Sequence, residues 1–171
     1  SLSFNQRLEL CQLAFLKISD RVEVSTLESE LPSPNFTIRT LAHLSKIYSP
    51  QRLGFLMGQD QLKNFHLWSK PKEILNLASL VVVKRDSPEL GFGGVLTSTL
   101  TKFAEEMGEG FQWTIAGKWA SFPGLGTAIY LIDKPISIAS STLIRDFYLG
   151  GQALPEKWLP LLVEQKILNE R

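Results

Sequence analysis

Apolar positions along the chain switch repeatedly between helical and strand-like spacing. Residues 4–17 carry Leu8, Cys11, Leu13, Phe15 and Leu16, a broad stripe that predicts a helix with Cys11 as a small core side chain. Residues 21–26 alternate Val22 and Val24 with polar neighbours, which predicts a short strand. Pro32, Ser33, Pro34 and Asn35 form a loop. Thr37 is then placed to cap a helix in which Ile38, Leu41, Leu44 and Ile47 share one face, and Pro50 ends it. Residues 53–57 make a compact apolar run that stops at Gly58, the pattern of a buried strand. A turn-rich stretch with Asp60, Phe65, His66 and Trp68 follows, and Pro71 sits at the first turn of a short helix through Leu77.

The alternation continues. Residues 80–83 read as a buried strand ended by Lys84 and Arg85, residues 86–94 as loop, 95–107 as helix and 111–116 as strand. Residues 121–126 form a Pro/Gly loop before a strand over 127–132. A helix opens after Ser140 and stops near Gly150 and Gly151, and 155–168 is a last amphipathic helix. Strands interleaved with helices predict an α/β fold with a mainly parallel sheet. Ligands of such sheets bind beyond the carboxyl ends of the strands. The 58–68 segment, Arg85 and the helix start at Ser140 follow such ends and are expected to face one crevice.

Composition narrows the function classes. At 171 residues, with 44% hydrophobic and 20% charged side chains, the chain is expected to form one domain with a sizeable core. A net charge of +1 without a Lys/Arg stripe argues against nucleic-acid binding. A single cysteine leaves no intrachain disulfide and suits a reducing compartment. There is no apolar run of membrane-spanning length and no secretory signal, so the expected location is the cytoplasm, away from membranes.

The candidate chemistry is that of an anion and a flat ring. Ser140, Ser141 and Thr142 open a helix and Arg145 follows one turn later. Unpaired N–H groups and the macrodipole favour anions there, and an arginine fork adds to a phosphate cradle; the same residues also make an ordinary helix cap. Gly58 allows close backbone approach, and Asp60 can accept hydrogen bonds from ribose hydroxyls; a simple turn has the same composition. Trp68 can stack on a heteroaromatic ring or pack on the Pro71 helix. The helix start at Thr37 can hold a carboxylate or phosphate or be a plain cap. His43 and His66 lack metal-ligand spacing, no serine-histidine nucleophile arrangement is present, and no lysine-bearing phosphate loop occurs.

In order and spacing these segments resemble the bacterial nicotinate-nucleotide adenylyltransferase family. Asn35-Phe36-Thr37-Ile38-Arg39-Thr40-Leu41 is similar to that family's S-Y-T-x-x-T-L, and Phe55-Leu56-Met57-Gly58-Gln59-Asp60, Phe65-His66-Leu67-Trp68 and Val81-Val82-Val83-Lys84-Arg85 follow in sequence. Ser140-Ser141-Thr142-Leu143-Ile144-Arg145 resembles its I-S-S-T-x-I-R signature, with Ala139 departing at the first place. The resemblance implies a Rossmann-like, doubly wound nucleotidyltransferase sheet and adenylyl transfer from ATP to nicotinate mononucleotide, with magnesium accompanying ATP. It implies that Ser140, Ser141, Thr142 and Arg145 hold the ATP phosphates, Thr142 and Arg145 serving catalysis, and that Gly58 and Asp60 meet the nucleotide. It places Trp68 on the nicotinate ring, Thr37 and Ser69 near its carboxylate, and Arg85 near the mononucleotide phosphate. Nicotinamide mononucleotide or another phosphate ester is the alternative acceptor, and a non-catalytic nucleotide-binding relative is the alternative class. The family's H-x-G-H motif, with its first strand, helix and second strand, has no counterpart in these residues, and upstream residues carrying it are expected in the native protein.

Overall fold

The computed structural model describes residues 3–16, 20–49, 52–85, 92–115, 118–136, 141–152, 155 and 159–169. In chain order the elements are α1 (Phe4–Phe15), α2 (Leu27–Glu30), α3 (Thr37–Ile47), β1 (Leu53–Gly58), α4 (Gln59–Leu62), α5 (Pro71–Leu77), β2 (Ala78–Arg85), α6 (Phe92–Met107), β3 (Gln112–Ile115), β4 (Trp119–Phe122), β5 (Thr127–Ile136), α7 (Ser141–Leu149) and α8 (Leu161–Asn169). Short 3-10 turns cover Phe65–Leu67 and Pro123–Leu125. Two compact units result: Leu31–Ile138, and Ser1–Glu30 with Ala139–Arg171.

The larger unit is built on a mixed α/β sheet, five-stranded among the described residues, in the order β1-β2-β5-β4-β3. β1, β2 and β5 are parallel; β4 and β3 extend the sheet antiparallel. The connections β1→β2 and β2→β5 progress across the sheet in the same direction, so right-handed crossovers put their helices on one face. The core obeys this. Ile38 and Leu41 of α3, Ile74 and Leu75 of α5, and Leu100, Phe103 and Met107 of α6 join one cluster with Met57, Leu80, Val82, Ile129 and Phe122. The strand side chains of opposite parity line the other face: Leu56, Val81 and Tyr130 sit side by side in register, and Leu56 is 63% exposed. β1 is therefore half-buried, where its sequence reads as buried on both faces.

Polar groups fasten the start of the strands. The Arg52 guanidinium donates from Nε to Ser79 Oγ (3.0 Å) and from Nη2 to the Leu75 carbonyl (2.9 Å), tying the entry of β1 to the α5–β2 junction. The buried Thr127 hydroxyl donates to the Ala78 carbonyl (3.2 Å), joining the first residues of β5 and β2. At the other end the β2–β5 register shifts between Val83 and Arg85. Pro135 lies in β5 opposite this shift and has no N–H to contribute to the ladder.

In the smaller unit Ser3 and Gln6 form a reciprocal capping box at the start of α1. α1 packs against α8, with Lys166 Nζ 2.9 Å from Glu9 Oε1.

Several elements differ from the sequence pattern for local reasons. Residues 22–26 belong to no strand, and Val22 is exposed, because a lone alternating segment has no ladder to join. α1 buries none of its residues, and Cys11 is exposed rather than in a core. Thr37 is the first helical residue of α3, with Phe36 at the cap position and no side-chain cap bond. α6 starts at Phe92, so Gly93 and Gly94 belong to its first turn rather than to a loop. Ser121 and Phe122 belong to β4, which pairs between β3 and β5. The last helix begins at Leu161, where the Pro160 carbonyl accepts from Val163 N (2.9 Å) and Glu164 N (3.1 Å).

Candidate functional site

Parallel pairing fixes which sequence candidates share an end of the sheet. Gly58 is paired with Val83 and Val83 with Ile132, so the carboxyl ends of β1, β2 and β5 coincide. Gly58 closes β1 and is the N-cap of α4 in an extended conformation (φ −75°). Asp60, two residues on, is exposed in the first turn of α4, and its Oδ2 accepts from Gln61 Nε2 at 3.2 Å. The Arg85 backbone lies at the same sheet end; its side chain falls outside the described residues.

Trp68 is carried by the segment between α4 and α5. Phe65 is fully buried and anchors this segment. The Trp68 ring centroid lies 5.2 Å from that of Phe65 in a tilted contact and 5.9 Å from that of Phe55, edge to face. Trp68 is half-buried, so the indole is fixed from the core side and keeps part of its surface outside. Its ring contacts are with Phe55 of β1 and with Phe65, and it is packed against the core. Ser69 next to it is also half-buried. Thr37, half-buried, opens α3, whose preceding turn is held by Arg39: its Nη1 donates to the carbonyls of Pro32 (2.7 Å) and Pro34 (3.2 Å). Phe36 N donates to the same Pro34 carbonyl (3.0 Å). This clamp had no sequence signal, since an arginine on a helix is ordinarily solvated.

In the smaller unit, α7 opens at Ser141. Thr142 and Arg145 are both exposed, and the guanidinium turns back along the helix, with Nη2 3.5 Å from Thr142 Oγ1. Helical side chains lean toward the N-terminus, so this pair gathers a hydroxyl and a fixed cation at the end of α7 that carries the positive pole of the helix dipole. Ser140 and the Ser141 side chain lie outside the described residues. The structure thus groups Gly58, Asp60 and the Arg85 backbone at one sheet end, holds Trp68 against β1 in the same unit, and pairs Thr142 with Arg145 in the other.

His43 is exposed and His66 half-buried. Among the described residues no three of His, Cys, Asp and Glu gather as a metal cage, and no helix is long and apolar enough to cross a membrane.

Comparison with known proteins adds to this geometry. The sequence profile described as cytidylyltransferase-like matches residues 1–147. A protein of Maridesulfovibrio salexigens named probable nicotinate-nucleotide adenylyltransferase is 30% identical over 99% of this chain and 73% of its own length. One of the same name from Porphyromonas gingivalis is 30% identical over 98% of this chain and 69% of its own length. A third, from Fusobacterium nucleatum, is 38% identical over 46% of this chain and 41% of its own length.

Proposed function

The chain belongs to the cytidylyltransferase-like family, whose chemistry is nucleotidyl transfer, and from that premise we propose that it transfers the adenylyl group of ATP to nicotinate mononucleotide. The products are nicotinate adenine dinucleotide and pyrophosphate. The observation that carries the reading is the Thr142–Arg145 pair at the start of α7, a hydroxyl and a guanidinium at a helix end already suited to phosphate.

The reaction needs no protein nucleophile. An oxygen of the mononucleotide 5′-phosphate attacks the α-phosphorus of ATP, the new P–O bond forms in line, and the bond to the bridging oxygen breaks with its electron pair leaving on pyrophosphate. Catalysis is then positioning and charge neutralisation. Arg145 and Thr142, with Ser140, Ser141 and the first N–H groups of α7, hold the departing phosphates. Gly58 and Asp60 receive the nucleotide near ribose. Trp68 stacks on the pyridine ring, Thr37 and Ser69 offer polar groups to its carboxylate, and Arg85 balances the mononucleotide phosphate. Magnesium bound to the ATP phosphates would supply further neutralisation of their charge beside Arg145.

Pyrophosphate release from ATP on the full-length protein, with nicotinate or nicotinamide mononucleotide as acceptor, tests the proposal. Faster release with nicotinate mononucleotide supports it. Preference for the carboxamide moves the assignment to the neighbouring acceptor, and no release with either rejects the enzyme reading.

A further inference from the structure

Lys70 is the only non-glycine residue with positive φ among the described residues (φ 55°, ψ 55°). A Cβ disfavours that left-handed region, and lysine lacks the short polar group with which asparagine or aspartate offsets it. The lysine side chain does not explain the conformation. It makes no cap bond to α5, and its ammonium sits 2.9 Å from Glu73 Oε1 in a pair that is 61% and 55% exposed, a setting in which ion pairs contribute little.

The conformation is imposed from both sides instead. Upstream, across Ser69 alone, Trp68 is seated on Phe55 and Phe65. Downstream, Pro71 has a fixed φ, the Ile74 N–H donates to the Lys70 carbonyl (3.1 Å), and Ile74 and Leu75 are buried. The angle between the chain leaving Trp68 and the axis of α5 is therefore set at residue 70. The residue before proline disfavours the right-handed helical region and is ordinarily extended, so the left-handed backbone of Lys70 departs from its local preference and is held by the packing on either side. A strained residue that its surroundings over-determine marks a place where geometry is fixed for use.

We propose that Lys70 is a positioning residue: its left-handed backbone locks Trp68 and Ser69 in the orientation that receives the pyridine ring of the mononucleotide. This rests on the stacking role given to Trp68 above. Lysine suits the task better than glycine, because a glycine at 70 relieves the strain but adds intermediate conformations and frees the hinge.

The test uses the full-length protein, Lys70→Gly and Lys70→Asn, with KM for each substrate and a thermal melt. Lys70→Gly is expected to melt at or above the wild-type temperature while raising KM for nicotinate mononucleotide roughly two- to tenfold, the cost of ordering one loosened side chain on binding. KM for ATP should stay within about twofold. Lys70→Asn, which tolerates the left-handed region and keeps a Cβ, should restore the mononucleotide KM. A role confined to folding would move the melt and leave the ratio of the two KM values alone. Wild-type activity with an unchanged mononucleotide KM in Lys70→Gly overturns the positioning role and leaves the functional reading standing. No wild-type turnover of nicotinate mononucleotide overturns both.

Discussion

Arg145→Ala separates a phosphate-binding arginine from a helix-surface arginine. The side chain is exposed, and its Nη2 approaches Thr142 Oγ1 at 3.5 Å, the outer limit of a hydrogen bond. Removing it should therefore change folding free energy by no more than about 0.5 kcal/mol. For a chain of this size that is about 2 °C or less in melting temperature. Turnover should respond on another scale. A charged donor aimed at a leaving group whose charge grows in the transition state is worth about 3–4 kcal/mol, so kcat should fall roughly 10²- to 10³-fold. Arg145→Lys keeps the charge but not the planar fork and should recover only part of the loss. The assay is pyrophosphate release at saturating substrates, beside a melt of the same preparations. A melting temperature lowered by about 8 °C with kcat within twofold of wild type would mean that Arg145 serves the helix and not the phosphates.

Other positions give independent checks. Trp68→Ala should raise KM for the mononucleotide more than for ATP and also lower the melt, since two aromatic contacts worth about 0.5–1.5 kcal/mol each are lost; equal rises in both KM values reject stacking. Phe65→Ala removes a fully buried ring that touches Trp68 and Phe103 and should cost about 3–5 kcal/mol in denaturant unfolding; a loss under about 1 kcal/mol would contradict its anchoring role. Arg52→Met leaves the Leu75 carbonyl and Ser79 without their guanidinium and should cost about 1–3 kcal/mol; an unchanged unfolding midpoint would show that the clamp is idle. Cys11→Ser on the exposed α1 surface should leave the melt unchanged, whereas a drop of several degrees would restore a core role for that side chain.

The sequence pattern was most informative where one physical signal dominated. The apolar run of β2 and the 3.6-residue stripes of α3 and α6 mark their elements because burial on one side decides them. Pro71 marks the start of α5 because its fixed φ fits a first helical turn. Legibility failed where the outcome depends on a partner. Val22 and Val24 alternate like a strand, yet a strand exists only beside another. Leu56 reads as buried because every residue near it is apolar, but only the register shows that it belongs to the opposite face from Phe55 and Met57. β4 was hidden by Pro123 and Gly124, which end it. In the candidate site, residue types were visible and geometry was not. The spacing of Thr142 and Arg145 implied one helix face, whereas the left-handed backbone of Lys70 and the Arg39 clamp on two proline carbonyls follow from tertiary packing and leave no mark in composition.

The most direct measurement of the central claim is acceptor-dependent pyrophosphate release from ATP by the full-length protein. The account predicts turnover with nicotinate mononucleotide, a kcat/KM for it above that for nicotinamide mononucleotide, and loss of turnover in Arg145→Ala at an unchanged melting temperature. Absence of pyrophosphate release with both acceptors, from protein that melts cooperatively, would contradict it.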